Sequence, residues 1–138
     1  MSDPFDLERF ASAQEPVIDR VQSELAAGAK ASHWMWFVFP QIAGLGSSLM
    51  AQRYAIASRE EAAVYLAHPV LGPRLKDCVR LVLAVQGRSA REIFGGIDAA
   101  KFRSCLTLFD AVEPRGVFAE GLERYFGGER DPLTLDRI

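Results

Sequence analysis

Apolar residues recur along this chain at intervals of three and four, and nowhere do they alternate with polar residues over the length of a strand. That spacing places them on one face of an α-helix, so the pattern predicts helices throughout. Leu7, Phe10 and Ala11 share a face after Asp3-Pro4, where an oxygen able to cap precedes a ring suited to a first helical turn. Pro16 restarts the chain, and Val17, Ile18, Val21 and Leu25 keep helical spacing up to Gly28, a good helix terminator. Ser58 and Glu61, three apart, form a capping box that opens a helix through Tyr65 and Leu66, with Glu60 and Glu61 on its exposed face. His68-Pro69 breaks that helix. Leu71, Leu75, Cys78, Val82 and Val85 then make a stripe, widened by Val79, Leu81 and Leu83, which predicts the longest helix near the centre of the fold at about 70–86. Ser89 caps a short helix closed by Gly95-Gly96. Asp98 caps the next one, which carries Phe102, Cys105, Leu106, Phe109 and Val112 and stops at Pro114. Val117, Leu122, Tyr125 and Phe126 form a last full helix ended by Gly127-Gly128, and Asp131-Pro132 repeats the start signal, with Thr134 beside it. The expectation is an all-α single domain over residues 1–138, with seven or eight short helices around a central one.

One segment resists this periodicity. Between Gly28 and Ser47 lie both tryptophans, Trp34 and Trp36, together with Phe37 and Phe39, hemmed by Lys30, His33 and Gln41. Continuous apolarity fits a buried strand or a buried helical turn equally well. Ser32 can cap such a turn and Pro40 ends it. Gly44-Leu45-Gly46 reads as a turn, and Ser47 as the cap of a helix running through Tyr54 and Ile56. Aromatic bodies with polar tips make either a core strip or a pocket wall.

Composition narrows the function classes. A chain of 138 residues is one domain's length and buries enough surface to fold without disulfides or a structural metal. The net charge of −2 provides no basic field for nucleic acid. Two histidines and two cysteines are too few for a zinc cluster, and Cys78 and Cys105 sit in apolar helical patterns as small buried hydrophobes. No stretch approaches the roughly 18–20 apolar residues of a membrane span, and the acidic N-terminus has no signal core. The expected setting is the reducing cytoplasm, with no cofactor, no membrane, and a monomer or homodimer.

Candidate chemistry collects in two places. In the aromatic segment, His33 suits acid–base work or stacking, or a plain structural role. Lys30 can hold phosphate or carboxylate as a point charge, or be solvated at a helix end. Gln41, Gly44 and Gly46 can form a ligand-facing loop, although Gly-Leu-Gly is far from a phosphate-binding fingerprint and serves equally as a simple turn. Arg53 and Tyr54 follow. The second cluster is Lys101, Ser104 and Thr107, on the less apolar side of the Phe102 helix. Lys101 precedes Ser104, the reverse of Ser-x-x-Lys, and no nucleophile elbow exists, which weighs against a serine hydrolase. His68 and Asp131 fit structural roles at helix ends.

The segment Lys30 to Ser48, with Tyr54, Glu61-Ala62, Tyr65-Leu66, His68 to Leu75, Ile93 to Gly95, Asp98, Lys101-Phe102, Ser104, Thr107 to Phe109 and Gly128 to Leu135, resembles the bacterial family called domain of unknown function 1810, some members of which carry the label calpastatin. The resemblance spans nearly the whole chain. It implies a helical single domain and supplies no reaction. The polar motif positions it carries over are Lys30, His33, Gln41, Lys101, Ser104, Thr107 and Asp131. Two functions fit the residues. One is a small-molecule site between the aromatic segment and the Lys101 helix, with His33, Lys101 and Ser104 as catalytic candidates. Its ligand would be planar and anionic, of nucleotide or ADP-ribose type, held by Lys30, His33, Trp34, Trp36, Gln41, Gly44, Gly46, Tyr54 and Thr107. The other is a non-enzymatic domain that docks a protein or itself through exposed aromatics.

Overall fold

Residues 2–138 are described by a computed structural model, and among them there are ten helices and no strand. They are α1 (Glu8–Gln14), α2 (Ile18–Ala26), α3 (Met35–Val38), α4 (Leu49–Arg53), α5 (Arg59–Ala67), α6 (Leu71–Ala84), α7 (Ala90–Phe94), α8 (Gly96–Val112), α9 (Val117–Phe126) and α10 (Pro132–Leu135). The all-α expectation holds. The excess over seven or eight comes from single turns such as α3 and α10, which are too short to show a period.

The central helix is not the expected one. α6 runs for 14 residues but α8 runs for 17, and α8 packs against α5, α7, α9 and α10. Gly95, with φ of +85°, ends α7 and at once becomes the N-cap of α8, so the glycine pair joins two helices rather than spacing them. Asp98 therefore lies inside the first turn and caps nothing. Phe102, Cys105, Leu106, Leu108 and Phe109 of α8 are fully buried. Phe39 meets Phe102 and Phe94 edge-on, with ring centroids 5.0 and 5.9 Å apart, which ties the aromatic segment to α7 and α8.

Several local signals work as read. Ser58, Ser89 and Asp131 accept backbone N–H groups at the starts of α5, α7 and α10. Gly28 and Gly127 close α2 and α9 with φ of +70° and +61°. His68 Nδ1 accepts from the N–H groups of Val70 and Leu71, a structural role at the α6 start.

Others are corrected. Pro4 precedes the first helix, and Asp3 instead reaches forward to the N–H groups of Leu7 and Glu8. Ser48, not Ser47, caps α4, which stops at Arg53. Ser32 caps nothing, because its hydroxyl is taken by Glu24. Glu61 is buried, not exposed, and completes only half of its box: Oε1 accepts from Ala57 N–H and Oε2 pairs with Arg9 at 3.1 Å. Arg9 also donates to the Arg53 and Ala55 carbonyls, which locks α1 to the α4–α5 link.

Both cysteines are buried free thiols. Burial pushes Cys78 up to about 12 and Cys105 well above the usual thiol range, so neither forms a ready thiolate. No helix among the described residues is long and apolar enough to cross a membrane.

Candidate functional site

Glu24, in the last turn of α2, organises the start of the aromatic segment. Once Gly28 has turned the chain, its carboxylate accepts from Ala31 N–H at 2.7 Å, Ser32 N–H at 3.0 Å, the Ser32 hydroxyl at 2.6 Å and the Trp34 indole N–H at 2.9 Å. Burial works against the charge, but these hydrogen bonds outweigh it and hold the carboxyl at about 2. Trp34 is thereby a core residue, 1% exposed with its polar tip satisfied. Lys30 closes the same corner. Its ammonium lies 5.0 Å from the Trp34 ring centroid, donates to the Ser32 carbonyl and pairs with Asp98 Oδ2 at 2.9 Å.

Two positions later the segment faces the other way. The two indoles are only two residues apart at the start of α3, a spacing that sends them to roughly opposite sides, so Trp34 is buried while Trp36 stays half-buried at the edge of a cavity. Past Pro40 the chain is pinned by a parallel bridge: Ala43 N–H donates to the Ile56 carbonyl and Ile56 N–H to the Gln41 carbonyl, both at 2.8 Å. Gly46 passes so close to α4 that a Cβ on it would lie 2.7 Å from that of Ala51. The pinned loop, Trp36 and Tyr54 enclose a chamber of about 230 Å³.

Gln41, Gly46 and Ala51 also line a second, larger groove of about 730 Å³ that crosses α8 to the end of α9 and the α10 turn. Its charged wall residues are Arg91, Lys101, Arg103 and Asp131; Tyr125 and Phe126 add aromatic surface. Lys101 lines the groove and reaches towards Trp36 of the chamber. Its ammonium is 5.5 Å from the Trp36 ring centroid and 3.7 Å from Asp98 Oδ1, the carboxylate that Lys30 already holds more tightly. Two cations thus share one anion, and Lys101 has the looser half.

The polar residues further along α8 are builders. Asp131 Oδ2 accepts from the Ser104 hydroxyl at 3.0 Å, the Thr134 hydroxyl at 2.6 Å and Thr134 N–H at 3.1 Å. Thr107 accepts from Asp131 N–H at 2.9 Å and donates to the Arg103 carbonyl. Arg103 donates to the carbonyls of Glu129 and Arg130, and Arg130 pairs with Asp110 at 3.0 Å. These bonds strap residues 128–135 to α8 and fix one wall of the groove. The partners of the Ser104 hydroxyl are the Ala100 carbonyl and Asp131, neither of them a histidine or a lysine.

The fold brings Lys101, Ser104, Gln41 and Gly46 to the groove, with Trp36, Gly44 and Tyr54 in the adjoining chamber. It places Trp34 in the core, Lys30 half-buried beside it, and Thr107 buried within α8. His33 is exposed and lines neither cavity. Sequence patterning alone does not pick out Glu24, Arg91, Arg103 or the groove role of Tyr125 and Phe126. Glu24 does carry a signal: an acid in the last turn of a helix opposes the macrodipole and needs compensating donors. Among the described residues no three His, Cys, Asp or Glu side chains gather as a metal site.

Comparison with known proteins agrees with this architecture. The chain matches the family described as protein of unknown function DUF1810 over residues 4–138. The crystal structure of the conserved hypothetical protein Rv1873 from Mycobacterium tuberculosis is 54% identical in sequence, with a TM-score of 0.92, covering 97% of this chain and 96% of that one. No curated protein matches. With a family match running from residue 4 to the last residue, the chain belongs to the DUF1810 family.

Proposed function

We propose that the protein binds a small anionic ligand with a planar ring, of nucleotide or ADP-ribose type, in the groove between the Gln41–Gly46 loop and α8. The observation that carries this reading is a charge imbalance. Three cations, Arg91, Lys101 and Arg103, line the groove beside one lining carboxylate, Asp131, in a chain whose net charge is −2; Arg103 is tied to Glu129 at 3.6 Å and to the strap carbonyls, so Arg91 and the loosely held Lys101 carry the imbalance. Asp131 is itself spent on Ser104 and Thr134. The volume of about 730 Å³ falls within the roughly 300–1,000 Å³ typical of ligand pockets. Lys101, held only loosely by Asp98, is the cation best placed to turn to a phosphate. Ser104 and Lys101 then act as binding and positioning groups, since the serine proton is directed at a carboxylate that caps α10.

Calorimetric titration with ADP-ribose at low ionic strength tests the reading. The wild type is expected to bind, and Lys101→Glu to weaken binding by about tenfold or more, as reversal of a close charge implies. Absence of binding at millimolar ADP-ribose, or equal binding by both proteins, overturns it. A second reading, a domain that docks a protein partner, draws on Ile97 and Leu133, which stand 78% and 56% exposed at the groove mouth. It requires self-association or partner capture that Ile97→Lys abolishes.

A further inference from the structure

The two cavities differ in chemistry as well as in size. Every charged wall residue belongs to the larger groove, whereas the chamber behind it is lined by Trp36, Tyr54, Ile42, small residues and the neutral amides of Gln41 and Gln52. At about 230 Å³ the chamber is smaller than a whole-ligand site, so it takes a fragment. The Gln52 amide is engaged, donating to the Ser47 carbonyl at 2.9 Å. Gln41 stands where the cavities join, and its amide offers two donors and an acceptor along the edge of one plane. The half-buried indole of Trp36 offers ring surface to this space, Tyr54, packed on Phe10 and Phe37, lines it from the core, and an amide stands at its door, a lining that suits an uncharged heteroaromatic ring.

We propose that the chamber holds a nucleobase-type ring and the groove the phosphates attached to it, with Gln41 meeting the edge of the ring and Lys101 the first phosphate. This rests on the groove being an anion site and adds the ligand's polarity: ring inward under Trp36, phosphate outward along α8. Gly46 is the residue that keeps the passage open. A Cβ there would crowd Ala51, the other residue at the junction, at 2.7 Å. The Gly-Leu-Gly turn thus acts as a gatepost between the two halves of the ligand and does not itself cradle phosphate.

The experiment compares AMP with ribose 5-phosphate, the same anion without its ring, by calorimetry on the wild type and on Ala55→Leu. Ala55 lines the chamber and not the groove, so the larger side chain is expected to crowd the ring's place while Lys101, Arg91 and Arg103 keep theirs. The wild type is expected to prefer AMP by about tenfold or more, the scale of one stacked base. Ala55→Leu is expected to abolish that preference while its affinity for ribose 5-phosphate stays unchanged. Equal binding of the two ligands by the wild type, or an AMP preference that survives Ala55→Leu, overturns the ring's placement and leaves the anion site standing; failure of both ligands to bind overturns both. Should Ala55→Leu not fold, adenosine added to the ¹⁵N-labelled wild type decides the same question. Shifts at the Ala43 and Gly44 amides support the chamber, and shifts confined to α8 refute it.

Discussion

Replacing Glu24 by glutamine removes one charge and keeps the shape, and the structure fixes what should follow. The carboxylate gathers four donors from Ala31, Ser32 and Trp34, one of them the indole of a tryptophan sealed in the core. A glutamine can accept through one oxygen only and turns its own NH₂ towards the rest of the cluster. Holding the carboxyl at about 2 against the usual 4.5 corresponds to about 3 kcal/mol at face value. Because Glu24 is only half-buried, screening by water and salt reduces this to about 2 kcal/mol. For a chain of this length that is a fall of about 6–8 °C in Tm. The sign follows from the depressed carboxyl. Its contribution is complete above pH 4.5 and is lost as the pH falls from there towards 2, because the folded state resists protonation while the unfolded chain accepts it. Urea unfolding of wild type and Glu24→Gln at pH 7 and again near pH 2.5 is the assay. The difference of about 2 kcal/mol at neutral pH should shrink to a small part of itself in acid. A difference that is the same at both pH values would refute the electrostatic argument and assign the loss to packing.

Two other outcomes follow from the core. Gly72→Ala should cost at least about 3 kcal/mol in chemical denaturation, because its Cβ would lie 2.0 Å from the Leu66 carbonyl oxygen where α5 and α6 approach; a loss under about 1 kcal/mol would mean that the two helices separate easily. Cys78 and Cys105 should resist a thiol-disulfide reagent in the native protein at pH 8 and react on unfolding, since burial raises both thiols; rapid labelling of the folded protein would contradict their placement.

Much of this fold was legible because helices announce themselves through spacing and caps. Ser89 and Asp131 bond as side chains of their type do at helix starts, and the apolar stripe of α6 faces the core as its period demands; of the α9 stripe Leu122 is buried, while Tyr125 and Phe126 also reach the groove. What was not legible required knowledge of tertiary partners. Nothing local to Gly95 tells whether a glycine pair separates two helices or joins them, and only packing on four neighbours makes α8 central. Glu61 looked like a surface acid until Arg9, 52 residues away, gave it a reason to be buried. The aromatic segment was ambiguous for the same reason. Trp34 and Trp36 are chemically identical and two residues apart, and only Glu24 on one side and Lys101 on the other assign one to the core and one to the cavity. His33 carries the most versatile side chain of the segment and stands outside both cavities.

That division of the tryptophans is the centre of the account, and one titration reads it directly. The two indole N–H groups give two resonances in a ¹⁵N-correlated spectrum, followed as ADP-ribose is added. The resonance of Trp36 should move to saturation while that of Trp34, bonded to Glu24 in the core, stays in place. Equal movement of both, or movement of neither at millimolar ligand, would contradict the assignment of Trp36 to a ligand site.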